Sequence, residues 1–276
     1  MLPVPPVRRP QRAVWGAQHD ALPDPMKVCR AWRLVADGLL GSVLLLGLLV
    51  MWLPHAQPVF GALFPLLERP VYTQEPFALL LWRHCVLVAL SSAAAVLLGT
   101  GLGIGVTRAA GQPFRSVVDS CVALAQAVPP VAVLALAVPV IGFGQTPALL
   151  ALALYGLLPV VQGTVTGLAS VPAPLRQAAL GLGMTPAQSL RWVEVPLALP
   201  VWLAGVRTSV IINIGTAAIA STVGAKTLGS PIIVGLSGFN TAYVLQGAVL
   251  VGLLAVAVDL AFEKLARAVD AYRQAV

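Results

Sequence analysis

Residues 176–196 read Arg176-Gln-Ala-Ala-Leu-Gly-Leu-Gly-Met-Thr-Pro-Ala-Gln-Ser-Leu-Arg-Trp-Val-Glu-Val-Pro196. The stretch is a polar island between two strongly apolar runs, 148–168 and 197–223. Its own pattern is helical. Leu175, Ala178, Ala179 and Leu182 recur at i, i+3, i+4 and i+7, an apolar stripe on a short helix that begins near Pro174. Gly183 stands where a helix can end in the left-handed conformation that glycine tolerates. Thr185 is placed to cap a second short helix, with Pro186 at its first position and Gln188 three residues after the cap. Pro196 is expected to stop that helix before the next apolar run. The pattern predicts a rigid helix-turn-helix elbow; an ordinary amphipathic connecting loop is the plainer alternative.

The flanking composition sets the solvent. At 58% hydrophobic and 10% charged residues, with a mean hydropathy of +0.90, the chain departs from soluble domains, in which about a quarter of residues are charged. Runs of about 20 apolar residues can cross a bilayer as helices. Six candidates are read: 38–53, 85–106, 117–141, 148–168, 197–223 and 242–262. The first would be only about 24 Å long, so flanking residues or local thinning must complete it. The third is interrupted by Pro129, Pro130 and Pro139. The expected fold is an all-α integral membrane protein with about six transmembrane helices.

The net charge of +7 fits basic residues gathered on one side. Arg8, Arg9, Arg12, Lys27, Arg30 and Arg33 precede the first run. With that end in the cytoplasm, Arg108, Arg115, Arg176, Arg191, Lys264, Arg267 and Arg273 also fall inside, and Arg207 lies toward the same side. Only Arg69, Arg83 and Lys226 fall outside. Both termini are therefore expected in the cytoplasm. The expected organisation is a cytoplasmic, partly disordered tail (1–35), a first transmembrane helix with an external segment (36–80), a transmembrane domain (81–265) carrying the cytoplasmic loop 170–196, and a cytoplasmic tail (266–276). Residues 1–25, rich in Pro, Arg and Gln, read as disordered. Phe60, Phe64, Tyr72 and Phe77 suggest that the external segment lies at the membrane interface. The first run lacks an Ala-x-Ala cleavage pattern and is read as a span rather than a signal peptide.

No catalytic, cofactor-binding or metal-ligating set emerges. His19, His55 and His84 are dispersed and expected at or outside the membrane ends, and Cys29, Cys85 and Cys121 have neither disulfide-framework nor metal spacing. Gly99-Thr-Gly-Leu-Gly-Ile-Gly105 lies inside an apolar run with no strand before it, which disfavours a dinucleotide site. Gly99/Gly103 and Gly101/Gly105 instead fit close helix packing. The chain carries no Walker A sequence and no basic run interleaved with aromatics, so it reads as neither an ATPase nor a nucleic-acid binder. Asp37, Asp119, Asp259 and Arg207 fall near predicted span ends. A proton-coupled carrier usually keeps ionisable groups near mid-membrane, so their placement argues for an external energy source.

Residues 177–196 resemble the coupling loop of ABC importer permeases: Glu-Ala-Ala, three residues, Gly, nine residues, then Ile-x-Leu-Pro. Here the pattern is Gln177-Ala178-Ala179, Gly183 and Val193-x-Val195-Pro196, with the spacing intact and Gln177 in place of the acid. The likeness runs over roughly 80–265. Leu-Ala-Gln-Ala-Val-Pro-Pro before Val131, Leu154-Tyr-Gly-Leu-Leu-Pro-Val-Val-Gln-Gly-Thr-Val-Thr-Gly167, Leu203-Ala-Gly-Val-Arg-Thr-Ser209 and Gly215-Thr-Ala-Ala-Ile-Ala-Ser-Thr-Val-Gly-Ala225 resemble the osmoprotectant branch, the glycine betaine/choline/carnitine permeases.

The resemblance implies a type I importer core. Gln177, Ala178, Ala179, Gly183 and Pro196 would form the loop that docks a cytoplasmic ABC ATPase. ATP would bind on that partner chain, with no cofactor on this one. A second permease, identical or related, would complete the pathway, and an external binding protein would deliver solute. Pro129, Pro130, Asn213, Thr216, Ser221 and Thr222 are the expected wall residues, with helix–helix hydrogen bonding as the alternative role for the polar ones. An importer permease for an amino acid, sulfonate or nitrate, or a stand-alone secondary carrier, are the rival readings.

Overall fold

Inside a bilayer every backbone amide must find its partner within the segment, which makes each spanning run a helix. The computed structural model describes residues 25–275. Residues 1–24, most of the segment read as disordered, lie outside the described residues. The elements in chain order are α1 (Pro25–Trp52), α2 (Gln57–Leu63), α3 (Phe77–Thr107), α4 (Arg115–Ala127), α5 (Pro130–Ile141), α6 (Gln145–Ala169), α7 (Ala173–Gly181), α8 (Pro186–Ser189), α9 (Val195–Ile219), α10 (Ser230–Ser237) and α11 (Thr241–Ala275).

Five helical segments among the described residues are long and apolar enough to cross a membrane: Val35–His55, Phe77–Thr107, Gln145–Ala169, Pro186–Val223 and Thr241–Ala271. The first is 21 residues long, so flanking residues at both ends complete the short run 38–53. The expected third span is not one helix. It divides into α4 and α5, of 13 and 12 residues, at Val128 (ψ 127°) and Pro129 (ψ 138°). A residue that precedes proline is pushed out of the α region, and here two consecutive prolines do this to two consecutive residues. Pro130 then opens α5 at the position where its missing N–H costs nothing.

The fifth span brings the other correction. Pro196 does not stop a helix, because the chain stays helical from Pro186 to Val223. Residues Leu190–Glu194 form a π-turn, in which the Val195 N–H reaches back five residues to the Leu190 carbonyl. One wide turn just before Pro196 moves the proline into the first turn of α9, where no amide hydrogen is required.

The core is a trio, α3, α6 and α9, joined by missing side chains. A Cβ on Gly99 would lie 2.9 Å from the Val160 side chain, and one on Gly103 would lie 2.6 Å from Thr164. Gly101 and Gly105 face open space, so only one of the two expected glycine faces is used. Gly163 and Gly205 bring α6 and α9 equally close. By contrast α4 rests on α6 through Val118 and Val122 against Val161 and Val165, with Gln126 Nε2 donating to the Tyr155 carbonyl at 2.7 Å.

The segment expected outside forms a strap folded onto the bundle. Phe60, Tyr72 and Phe77 are buried in it, and Phe64 is half-buried. Gln246 of α11, itself buried, accepts from the Tyr72 N–H at 3.1 Å and donates to the Pro70 carbonyl at 2.7 Å. Asn240 donates to the Arg69 carbonyl at 2.9 Å. Lys226 pairs with Glu75. Burial, then the neighbouring Glu75 carboxylate, pushes the Tyr72 phenol up to about 12.

Candidate functional site

The elbow forms as a hydrogen-bonded unit. α7 ends at Gly181, and Gly183 follows with φ +85°. The Met184 N–H bonds the Ala179 carbonyl at 3.1 Å and the Gly183 N–H bonds the Leu180 carbonyl at 3.0 Å. These two bonds are a Schellman cap, which satisfies the last carbonyls of α7. A Cβ on Gly183 would meet no atom within 4 Å, so the requirement at this position is φ alone. Thr185 then caps α8. Its hydroxyl accepts the Gln188 N–H at 3.3 Å, while its own N–H donates to Gln188 Oε1 at 2.8 Å.

The apolar stripe on α7 divides by burial. Ala179 is 5% exposed and packs inward. Leu175 and Leu182 are 46% and 82% exposed, and Leu180 beside them is also exposed. Gln177 and Ala178 face solvent as well. Three open leucines on a rigid polar elbow are surface that a partner could cover.

Sequence reasoning missed what fastens this elbow. Arg108, just past α3, forks onto Glu194 with contacts of 2.8 and 3.3 Å, and Ser189 Oγ donates to the same carboxylate at 3.3 Å. Glu194 is 3% exposed. The available signal was that Glu194 is the only acid in residues 176–196.

The expected wall residues separate into two groups. Asn213 is fully buried, and its amide nitrogen lies 3.0 Å from Ser92 Oγ and 3.4 Å from Ser91 Oγ. Of the two roles expected for Asn213, helix–helix bonding is the one seen: this amide joins α9 to α3. Ser221 is half-buried and bonds Thr227 at 2.9 Å and Ser230 at 3.3 Å. Thr216 is half-buried and returns its hydroxyl to the Ile212 carbonyl. Thr222 is exposed and caps the Ile219 carbonyl. Pro129 is exposed at the α4–α5 break, with Pro130 half-buried beside it.

An open face of α9 does emerge. Ala204, Thr208 and Gly215 are exposed, and their spacing of four and seven places them on one side of the helix; Thr222 is exposed in the 3-10 turn that follows it. The open side of α3 carries Trp82, Leu90, Leu97 and Leu98 instead. Bulky aliphatic and aromatic surface suits lipid, whereas small residues and hydroxyls suit another helix or a watered path.

The charges also differ from expectation. Arg207 was placed near the cytoplasmic end of its span, yet it stands midway along α9, twelve residues from Val195 and twelve from Ile219. It forks onto Asp259 of α11 at 2.6 and 2.7 Å, so the two charges neutralise each other. His84 lies two turns into α3 and is buried there, with Nε2 3.1 Å from the Ile214 carbonyl. Among the described residues no three of His, Cys, Asp and Glu gather as metal ligands do.

Residues 95–271 match the family described as binding-protein-dependent transport system inner membrane component. Among similar proteins, the osmoprotectant import permease protein OsmW of Salmonella typhimurium is 39% identical over 193 residues, covering 68% of this chain and 89% of that protein. OsmY of the same organism is 44% identical over 64% of this chain and 75% of its own length. The choline transport system permease protein OpuBB of Bacillus subtilis is 38% identical over 64% of this chain and 81% of its own. In fold, the chain is similar to a subunit of the inward-facing MetNI methionine ABC transporter, with a TM-score of 0.63 and 24% identity over 71% of this chain and 99% of that one.

Proposed function

Because the chain belongs to the family of binding-protein-dependent transport system inner membrane components, we propose that it is the permease subunit of an ATP-driven importer for a quaternary ammonium osmoprotectant, glycine betaine, choline or a close relative. It is a multi-pass inner-membrane transport subunit. ATP is bound and hydrolysed on separate cytoplasmic ABC subunits. A second permease copy or relative completes the pathway, an external binding protein delivers solute, and both termini lie in the cytoplasm.

The observation that carries this reading is the elbow. A Schellman cap and a capping box fix residues 173–189 in one shape, and that shape holds Leu175, Leu180 and Leu182 open. Rigid, exposed apolar surface on a polar loop is suited to docking a partner and transmitting its movement. The substrate class is supported by the names of the relatives and by charge. A quaternary ammonium carries a charge that titration cannot remove. A face of Ala204, Thr208 and Gly215, with Thr222 in the turn that follows, offers it no carboxylate, and Asp259 is already satisfied by Arg207. Weak walls let such a cation move on, where a free counter-ion would hold it.

The test is crosslinking in the complete complex. A cysteine at Leu182, paired with cysteines scanned across the partner ATPase, is expected to form an adduct. No adduct from any elbow position, in a complex that still imports solute, would overturn the docking reading.

A further inference from the structure

The π-turn that admits Pro196 leaves the elbow joined to α9 by a weak link. The turn spans Leu190–Glu194, and its Val195-to-Leu190 bond replaces the regular ladder. Bulges of this kind are places where helices bend. Glu194, the last residue of the turn, is bonded on both sides of it. Ser189, the last residue of α8, donates to its carboxylate from the elbow side. Arg108 grips the same carboxylate from α3 with two nitrogens, 86 residues away in the chain. Arg108 is held in turn, because its Nε donates to Thr107 Oγ1 at 3.3 Å and the Thr107 hydroxyl bonds the Ile104 carbonyl at 2.7 Å. α3 is locked to α6, and α6 to α9, by the glycine contacts described above.

We infer that the Arg108–Glu194 pair is the positioning clasp that makes the elbow one rigid piece with the α3–α6–α9 trio, so that movement imposed on the elbow reaches the trio and is not lost at the bulge. The inference rests on the coupling role proposed for the elbow. The carboxylate is buried and accepts three hydrogen bonds. Removing Arg108 leaves the buried Glu194 carboxylate unmatched, which is strongly destabilising to that geometry; neutralising Glu194 removes the anion on which the partly exposed Arg108 is anchored. The bulge then bends.

Two measurements test the clasp. The first uses this chain alone in lipid nanodiscs, with Cys29, Cys85 and Cys121 replaced by alanine and spin labels on cysteines at Leu102 and Leu182. The parent should give one narrow distance distribution. Glu194→Gln, which keeps side-chain size, should broaden it at least roughly twofold, because the severed pair no longer restrains the bulge. The charge-swapped pair Arg108→Glu/Glu194→Arg should narrow it again. An unchanged width in Glu194→Gln, or a swap as broad as the single variant, would overturn the inference. The second uses the complete complex in proteoliposomes. ATP hydrolysed per solute imported should rise about tenfold in Glu194→Gln and Arg108→Gln, the ratio that about 1.4 kcal/mol at the coupling step represents. An unaltered ratio in both variants would overturn it. If the parent complex shows no ATP-coupled import, the proposed function fails, while the nanodisc distances still decide whether the clasp stiffens the elbow.

Discussion

Gly163 on α6 and Gly205 on α9 meet backbone to backbone: a Cβ on Gly163 would lie 2.9 Å from the Gly205 Cα, and one on Gly205 would lie 2.5 Å from the Pro159 carbonyl oxygen. No side chain of either residue could fit without parting the helices. Gly205→Leu is therefore expected to destabilise the bundle by about 1–3 kcal/mol or more, as overpacking does. Gly101→Ala, where nothing lies within 4 Å, should leave stability equal or slightly higher, since alanine favours the helix. Thermal unfolding in detergent checks both. Equal loss from the two would mean that α6 and α9 do not pack as described.

The elbow depends on one left-handed residue. Gly183→Val forces a β-branched side chain to φ +85°, a conformation costing about 1–2 kcal/mol or more. Membrane insertion should be unchanged, because the site is outside the bundle and open. Uptake by the complete complex should fall about tenfold, the ratio that 1.4 kcal/mol represents. Gly183→Asn should keep most uptake, since asparagine tolerates this region. Full uptake by the valine variant would remove the elbow from the coupling route.

The strap prediction concerns Gln246. Gln246→Leu removes the partners of the Tyr72 N–H and the Pro70 carbonyl together. Each buried group left unpaired costs about 1–3 kcal/mol. Limited proteolysis from the external side should then cut near Leu66, which is 95% exposed and sits on the strap, faster than in the parent. An unchanged cutting rate would mean that these bonds do not hold the strap.

Topology follows from the same positions. Tags before Arg30 and after Val276 should report the cytoplasm, and a tag at Leu66 should report the outside. Opposite reports from the two termini would remove the proposed orientation.

Much of this was legible because the bilayer imposes simple rules. Long apolar runs became α3, α6, α9 and α11, since lipid permits little else. The Thr185–Gln188 box and the Gly183 turn were readable because their chemistry is local, confined to residues within a few positions. Two proline expectations diverged for one reason. Pro129 and Pro130 broke a span, whereas Pro196 did not, because a π-turn five residues long absorbed it. Nothing in an apolar pattern announces such a turn. Long-range pairings were equally silent. Arg108 with Glu194, Arg207 with Asp259 and Gln246 with Pro70 and Tyr72 join residues far apart in the chain. Asn213 was read as a wall residue because it is polar in an apolar helix. Polarity alone does not reveal whether an amide faces water or two serines of a neighbour.

The central claim is ATP-driven import of a quaternary ammonium solute through this chain. Its most direct measurement is labelled uptake into proteoliposomes holding the permease, its ATPase and its binding protein, with a panel of betaines, choline, amino acids and sulfonates. The account predicts ATP-dependent accumulation of glycine betaine, choline or a close relative, abolished when the ATPase is left out. ATP-dependent uptake of amino acids or sulfonates with no response to any quaternary amine would contradict it.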